Sequence, residues 1–300
     1  MIELRDITSD TVVVVAGPTA SGKSALAIEL AERYNGVVIN ADASQIYKEI
    51  PVISAAPTKE EKQKVPHKLY EIFEAEKNGS VADWLPLAVQ EIKQCQRNKK
   101  LPIVVGGTGF YIEALVKGAS PIPETGKAVK QKVAKIAEQK GVAGLYEELQ
   151  KVDERGAAMV HANDVTRVRR ALEIFLDTGV SVADWFGKPY IPVLPDAQFI
   201  IVAKLPILAD LEEKCSRRFD AMLENGAVDE VRALLNKKLP ENLPVMKAIG
   251  VPELCSYLRG EVSLEAASNS AKLHTRQYAK RQLTWFRNRL KQLPATIVEA

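Results

Sequence analysis

The chain has 300 residues, 46% hydrophobic and 26% charged, with 17 glycines and 16 prolines, which supplies one large core or two modest ones and excludes a disordered or low-complexity protein. Its net charge of +3 is too small to advertise nucleic-acid binding by itself, so the distribution of the cations matters more than their total. No run approaches the roughly 20 apolar residues of a membrane span, and Glu3, Arg5, Asp6 and Asp10 precede the first apolar strand, unlike a signal peptide. The expectation is a cytoplasmic protein with no membrane partner. Cys95, Cys215 and Cys255 are too far apart for a paired framework or a Cys-x₂-Cys zinc site, and they are assigned no chemistry.

In chain order, the apolar run Val12 to Ala16 and the amphipathic stretch Ala25 to Tyr34 predict a strand and a helix, with Gly17-Pro18-Thr19-Ala20-Ser21-Gly22-Lys23-Ser24 between them. That spacing in that context predicts a phosphate cradle rather than a plain glycine turn. Gly17 and Gly22 permit positive φ, the helix start adds partial positive charge, Lys23 reaches phosphate oxygens, and Ser24 can hold Mg²⁺. The second buried run, Val37 to Asn40, leads into Asp42, a carboxylate placed to bind Mg²⁺ or to act as a general base, with turn capping as the bland alternative. After the third, Ile103 to Val105, the turn Gly106-Gly107-Thr108-Gly109 lets backbone approach a ligand closely, and Thr108 offers a hydroxyl to a bridging phosphate oxygen. Phe199 to Ala203 is the fourth run.

Between the third and fourth runs the pattern is helical throughout, over Lys130 to Gln139, Ala143 to Lys151 and Val165 to Thr178. The predicted fold is α/β: a P-loop, doubly wound parallel sheet core from 1–120 and 196–300, with an all-helical domain inserted at 121–195. Near the end, Ala271 to Lys291 carries Lys272, Arg276, Lys280, Arg281, Arg287, Arg289 and Lys291 with His274, Tyr278, Trp285 and Phe286 interleaved and no acid. Cations beside flat rings suit phosphate contacts and base stacking. The alternative is a solvated basic face over Leu273, Tyr278, Leu283 and Phe286 packed inward.

In order and wording these segments resemble the bacterial-type tRNA dimethylallyltransferase (tRNA isopentenyltransferase) family over nearly the whole chain. Besides the phosphate loop, the resemblance is carried by Asp42 with Ser44-Gln45-Ile46-Tyr47, Val65-Pro66-His67, Ser80-Val81-Ala82-Asp83 and Val104 to Tyr111. It continues through Asn163-Asp164, Arg167 to Glu173, Arg217-Arg218-Phe219, Met246 to Gly250 and the closing block Thr275 to Arg287, the most specific of all. Where the family usually has Asp-Ser and Gly-Thr-Ala-Lys-Pro, this chain has Asp42-Ala43 and Ile53-Ser54-Ala55-Ala56-Pro57, so a hydroxyl and a lysine are missing.

The resemblance implies transfer of a dimethylallyl group from dimethylallyl diphosphate to the N6 amine of the adenine 3′ to the anticodon, in tRNAs reading codons that begin with U. It implies Asp42 as base, Thr108 and Arg218 beside the bridging oxygen, and Gly17, Thr19, Ala20, Ser21, Gly22, Lys23 and Ser24 around the diphosphate, with Mg²⁺ on Ser24 and Asp42. The anticodon stem-loop would meet Ser44, Gln45, Arg167, Arg169, Arg170, Arg276, Gln277, Lys280 and Arg281, Ser44 and Gln45 reading the base edge. The chain is expected to act as a monomer. Two rivals remain at this stage: a small-molecule P-loop kinase, and an RNA-binding protein with a relic loop.

Overall fold

The structure, a computed structural model, describes residues 2–300. Among these residues six strands form one parallel sheet in the order β3-β2-β4-β1-β5-β6. They are β1 (Thr11–Ala16), β2 (Gly36–Asn40), β3 (His67–Lys68), β4 (Leu101–Gly106), β5 (Gln198–Ala203) and β6 (Thr296–Glu299). β1 lies between β4 and β5, with Val13 opposite Ile103 on one side and Ile200 on the other. Every residue of β1, β2 and β4 is buried, which is why these strands read as unbroken apolar runs: helices cover both faces of a parallel sheet. The four strands expected from the sequence are present. β3 and β6 are the additions, the first two residues long and the second a short edge strand with no fully buried residue, so neither writes a core signature.

The helix Lys23–Arg33 buries Leu26, Ala27, Leu30 and Ala31 in the same cluster as Val13, Val15, Ile103 and Val105. The sheet thereby fixes where the phosphate loop begins and the helix fixes where it ends. Ser80-Val81-Ala82-Asp83 is a capping box that opens the helix Val81–Arg97, Asp83 N–H donating to Ser80 Oγ at 3.3 Å and Ser80 N–H to Asp83 Oδ2 at 3.1 Å. The last long helix, Leu264–Arg289, starts well before the basic segment; its Ala279 and Leu283 pack with Leu211 and Cys215 of the helix Leu208–Glu224. Among the described residues no helix is long and apolar enough to cross a membrane.

The chain divides into two compact units, Met1–Lys117 with Val193–Ala300, and Gly118–Pro192. The break falls three residues before the 121–195 read from sequence at each end, because Ala119 and Ile191 exchange both backbone hydrogen bonds at 3.0 Å. Gly118 makes this possible at φ 105°, where a Cβ would lie 2.1 Å from the Ile191 carbonyl oxygen. The second unit is helical, with Val133, Leu145, Leu149, Val168 and Leu172 in its core. Its segment Lys127–Val152 holds two helical runs that meet at Gly141, φ 64° and ψ −169°. Asp164 opens the helix Val165–Thr178 by accepting the Arg167 N–H at 3.1 Å.

Candidate active site

The phosphate loop leaves the end of β1 and turns through Ala20 at φ 61° and Gly22 at φ 83°. Gly17 is required by contact rather than by dihedral, since a Cβ there would lie 2.6 Å from the Lys204 carbonyl oxygen. Lys23 opens the helix and is only 8% exposed, with Nζ donating to the Pro18 carbonyl at 3.4 Å. Burial pulls its ammonium down to about 8, with Arg218 adding to the fall and Asp42 opposing it. The N–H groups of Lys23 and Ser24 have no intrahelical acceptor by helix geometry, and Ser21 Oγ is buried without a partner, an orphan that a phosphate oxygen would satisfy. Not every amide is free for an anion, however: Thr19 N–H already donates to Gln282 Oε1 at 2.8 Å and Ser21 N–H to the Pro18 carbonyl at 3.3 Å.

Asp42 stands just past β2 in a turn that its neighbours build. Fully buried Asn40 accepts the Asp42 N–H at 2.8 Å and donates to the carbonyls of Asp42 and Leu69 at 3.1 Å. Asp42 Oδ1 accepts the Ser44 N–H at 3.0 Å, so turn capping and availability for chemistry coexist: one oxygen shapes the turn and Oδ2 takes no part in it. Thr108 ties this turn to the one after β4, its Oγ1 accepting the Ala43 N–H at 3.0 Å. Gly106 permits the approach, because a Cβ there would lie 2.1 Å from the Ala41 carbonyl oxygen.

Arg218 comes from the helix Leu208–Glu224 and donates through Nη2 to the Ser54 carbonyl at 3.1 Å. Its dense surroundings pull the guanidinium down, and Asp42 pulls it back up. Thr19, Asp42, Arg218, Phe219, Met222 and Tyr278 all line one cavity of about 370 Å³ that lies within the sheet-containing unit. Its lining mixes the polar side chains of Asp42 and Arg218 with the apolar ones of Phe219 and Met222. Burial, then the nearby Asp42 carboxylate, pushes the Tyr278 phenol up, and its hydroxyl touches the side chains of Gln282 and Thr108. All three cysteines are buried and unpaired, but Cys215 also faces this cavity.

Mg²⁺ characteristically keeps several waters and takes one or two protein oxygens plus substrate phosphates. Ser24, exposed on the first helical turn, and Asp42, on the cavity wall, each offer one such oxygen. Among the described residues no three His, Cys, Asp or Glu side chains form a group able to hold a metal ion.

Other candidates are engaged elsewhere. The Gln45 amide donates to the carbonyls of Ser54 at 3.1 Å and Ala55 at 2.6 Å, so its donor shapes a turn, whereas Ser44 does line the cavity. In the helical unit Arg167 pairs with Asp164 at 3.3 Å, and Arg169 and Arg170 pair with buried Glu173 at 3.0 and 3.9 Å. Arg170 also donates to Thr125 Oγ1 at 2.9 Å.

On the final helix Gln277, Lys280 and Arg281 are exposed, and Arg276 is half-buried with an unpartnered Nε. Of the rings interleaved with these cations only Phe286 is fully buried, while Trp285 and Tyr278 keep part of their surface open. Phe286 is buried, Trp285 covers Gly109, where a Cβ would lie 2.4 Å from Trp285 Cε3, and Tyr278 faces the cavity. His274 pairs with Glu253 at 2.5 Å, and Leu273 is 44% exposed rather than packed inward. Cations and a ring share the outer face: Lys280, Arg281 and Arg289 line a shallow hollow of about 440 Å³ together with Trp285.

Sequence patterning gave no role to Asn40, Gln282 or Glu230. Each is a polar side chain that reaches backbone far away in the chain or around a turn, and periodicity carries no trace of that.

A phosphate loop that meets a cavity lined by a carboxylate and a guanidinium is the arrangement of a P-loop α/β enzyme acting on an anionic phosphate substrate. A family model described as IPP transferase matches residues 45–289. A tRNA dimethylallyltransferase of Hyphomonas neptunium is 43% identical over 273 residues, 91% of this chain and 86% of that protein. The crystal structure of the full-length tRNA isopentenylpyrophosphate transferase from Bacillus halodurans has 34% identity and a TM-score of 0.67, covering 97% of this chain and 90% of that one. A eukaryotic dimethylallyltransferase acting on tRNA is similar with a TM-score of 0.81 and 30% identity, over 97% of this chain and 74% of that one. The chain belongs to the IPP transferase family.

Proposed function

We propose that the protein transfers a dimethylallyl group from dimethylallyl diphosphate to the N6 amine of the adenine 3′ to the anticodon in tRNAs reading codons that begin with U. One observation carries this: Asp42 and Arg218 line a cavity whose walls are divided between charged side chains and apolar ones, Phe219 and Met222 among them, and both charges act on Lys23 of the phosphate loop. A diphosphate with a short hydrocarbon tail matches that division.

In the reaction the allylic C–O bond breaks and a bond forms between the same carbon and N6. The electron pair of the broken bond leaves on diphosphate, and the N6 proton passes to Asp42. An aromatic amine is a poor nucleophile because its lone pair is delocalised, so a carboxylate that takes the proton as the bond forms contributes about 10²–10⁴-fold. Lys23, Ser21 and the amides at the helix start grip the leaving group. Thr108 and Arg218 stabilise the charge that grows on the bridging oxygen, an interaction stronger in the transition state than in the ground state. When bound, Mg²⁺ on Ser24 and Asp42 would neutralise part of the diphosphate charge.

The adenine must leave its stack, at a cost of a few kcal/mol. Phosphate contacts from Lys280, Arg281, Arg276 and Gln277, and from Arg167, Arg169 and Arg170 of the inserted unit, offset that cost. Ser44, in the cavity beside Asp42, reads the base edge, with Gln45 contributing through its remaining carbonyl oxygen. Because loop, carboxylate and arginine all come from one chain, a monomer suffices, and the cytoplasm holds both substrates.

Incubation of the protein with unmodified tRNA and dimethylallyl diphosphate, followed by mass spectrometry of the nucleosides, tests this. N6-dimethylallyladenosine is expected. Its absence, together with phosphorylated product from ATP, would favour a kinase instead.

A further inference from the structure

Gln282 lies on the final helix with its side chain buried, 6% exposed. Both ends of its amide are paired: Oε1 accepts the Thr19 N–H at 2.8 Å and Nε2 donates to the Gly107 carbonyl at 2.8 Å. Those partners sit on the phosphate loop and on the turn after β4. The two loops are rooted side by side, because Ala16 pairs with Gly106 at the ends of β1 and β4, yet beyond that register no strand pairing sets the separation of their tips. Gln282 spans that separation. An amide offers a donor and an acceptor from the same planar group, and burying it is tolerated only because both are used.

Two neighbours fit the same purpose. A Cβ on Gly107 would lie 2.4 Å from Gln282 Nε2, so that glycine leaves room for the amide. Tyr278, one turn earlier on the same helix, touches both Gln282 and Thr108 through its hydroxyl. One helix face therefore holds the loop that carries Lys23 and the turn that carries Thr108, and adjacent residues Lys280 and Arg281 are exposed.

We propose that Gln282 is a positioning residue that fixes the distance between the phosphate loop and the Gly106–Gly109 turn, so that Lys23 and Thr108 meet one diphosphate from preset places. Donors held in advance stabilise developing charge without reorganising at the moment of reaction. The inference rests on the diphosphate site proposed above, and its test is arranged so that the two fail differently.

Gln282→Met keeps the length of the side chain and removes both hydrogen bonds. Binding of inorganic diphosphate is measured by calorimetry on the full chain, alongside kcat, KM for dimethylallyl diphosphate, KM for tRNA and the thermal midpoint. The diphosphate Kd should rise and kcat should fall by about tenfold or more each, the loss of roughly one well-made hydrogen bond, while KM for tRNA stays within about twofold. A role confined to folding would lower the thermal midpoint and leave diphosphate binding in the folded protein untouched, which overturns the assignment. If the Met variant does not fold, Gln282→Glu carries the same test: it keeps an oxygen for Thr19 N–H and sets a second oxygen against the Gly107 carbonyl. Failure of the unaltered protein to bind inorganic diphosphate would instead remove the diphosphate site itself.

Discussion

Arg218 and Gln45 donate to the same acceptor, the carbonyl oxygen of Ser54, each at 3.1 Å. The residue proposed to steady the leaving group and a residue of the Asp42 loop therefore share one backbone atom. The segment that carries this carbonyl is held in turn by Glu230, whose carboxylate accepts the N–H groups of Val52 and Ile53 at 2.8 Å each. Burial pushes the Glu230 carboxyl up, and the two amide donors pull it down.

Glu230→Ala should therefore act on catalysis from a distance. It strands two backbone donors, at a cost of about 1–3 kcal/mol, and frees the 51–55 segment that holds Arg218. A fall in kcat of roughly tenfold is expected, with diphosphate binding changed much less because the phosphate loop is not involved. Denaturant melts and steady-state kinetics on the same sample check both halves, and an unchanged kcat in a destabilised protein would detach Arg218 from this segment.

Lys23 carries a stability cost whose sign can be worked out. Its value of about 8 lies below the ordinary 10.5, so between those pH values the unfolded chain binds more protons than the folded one, and stability rises with pH across that window. Below about pH 8 the cost is complete, on the order of 3 kcal/mol from the gap between 10.5 and about 8. Lys23→Met should raise the melting temperature at pH 7, lose that advantage by pH 10 to 11, and bind inorganic diphosphate far more weakly. Calorimetric melts at the two pH values decide it: a Met variant less stable than the parent at pH 7 would mean that the burial of this charge is compensated.

How much of this was legible beforehand follows from where the information lies. Strands β1, β2, β4 and β5 announce themselves because a doubly covered parallel strand is apolar at every position, and Gly17 to Ser24 announces itself because anion cradles need glycine and lysine at fixed spacing. The kink at Gly141 was equally visible as a gap between two periodic runs. The contact of Trp285 with Gly109 was not, since a basic helix with aromatics reads the same whether its rings stack on bases or cover a glycine. Nor was the engagement of Gln45, Asn40, Gln282 and Glu230 with backbone: a side chain bonded to a carbonyl or amide outside its own element, as Gln282 is to Gly107 at a separation of 175, leaves no local pattern. The helix that carries Arg167 to Glu173 is laced by ion pairs of its own, those of Arg169 and Arg170 with Glu173, so cations there do not by themselves mark an RNA contact.

Asp42→Asn separates shape from basicity at the proposed base. An Asn Oδ1 still accepts the Ser44 N–H that Asp42 now accepts at 3.0 Å, so the turn survives, while proton acceptance is lost. Single-turnover transfer should fall by about 10²–10⁴-fold, with tRNA and diphosphate affinity within a few-fold. Near-full transfer by this variant would refute the base assignment.

The outer face of the final helix gives the last expectation, because its cations Lys280, Arg281 and Arg289 are exposed. If binding there is mainly electrostatic, each phosphate contact releases a counterion and contributes roughly −0.7 to −0.9 to the slope of log K against log salt. Lys280→Ala should weaken tRNA binding similarly for different anticodon-loop sequences and make that slope shallower by about one. Dimethylallyl diphosphate binding, which releases few counterions, should respond to salt much less. Filter-binding titrations of tRNA at several salt concentrations, for the parent and the variant, measure the slope directly. If the two slopes coincide, the RNA backbone does not touch this lysine, and the exposed cations of the helix serve solubility instead.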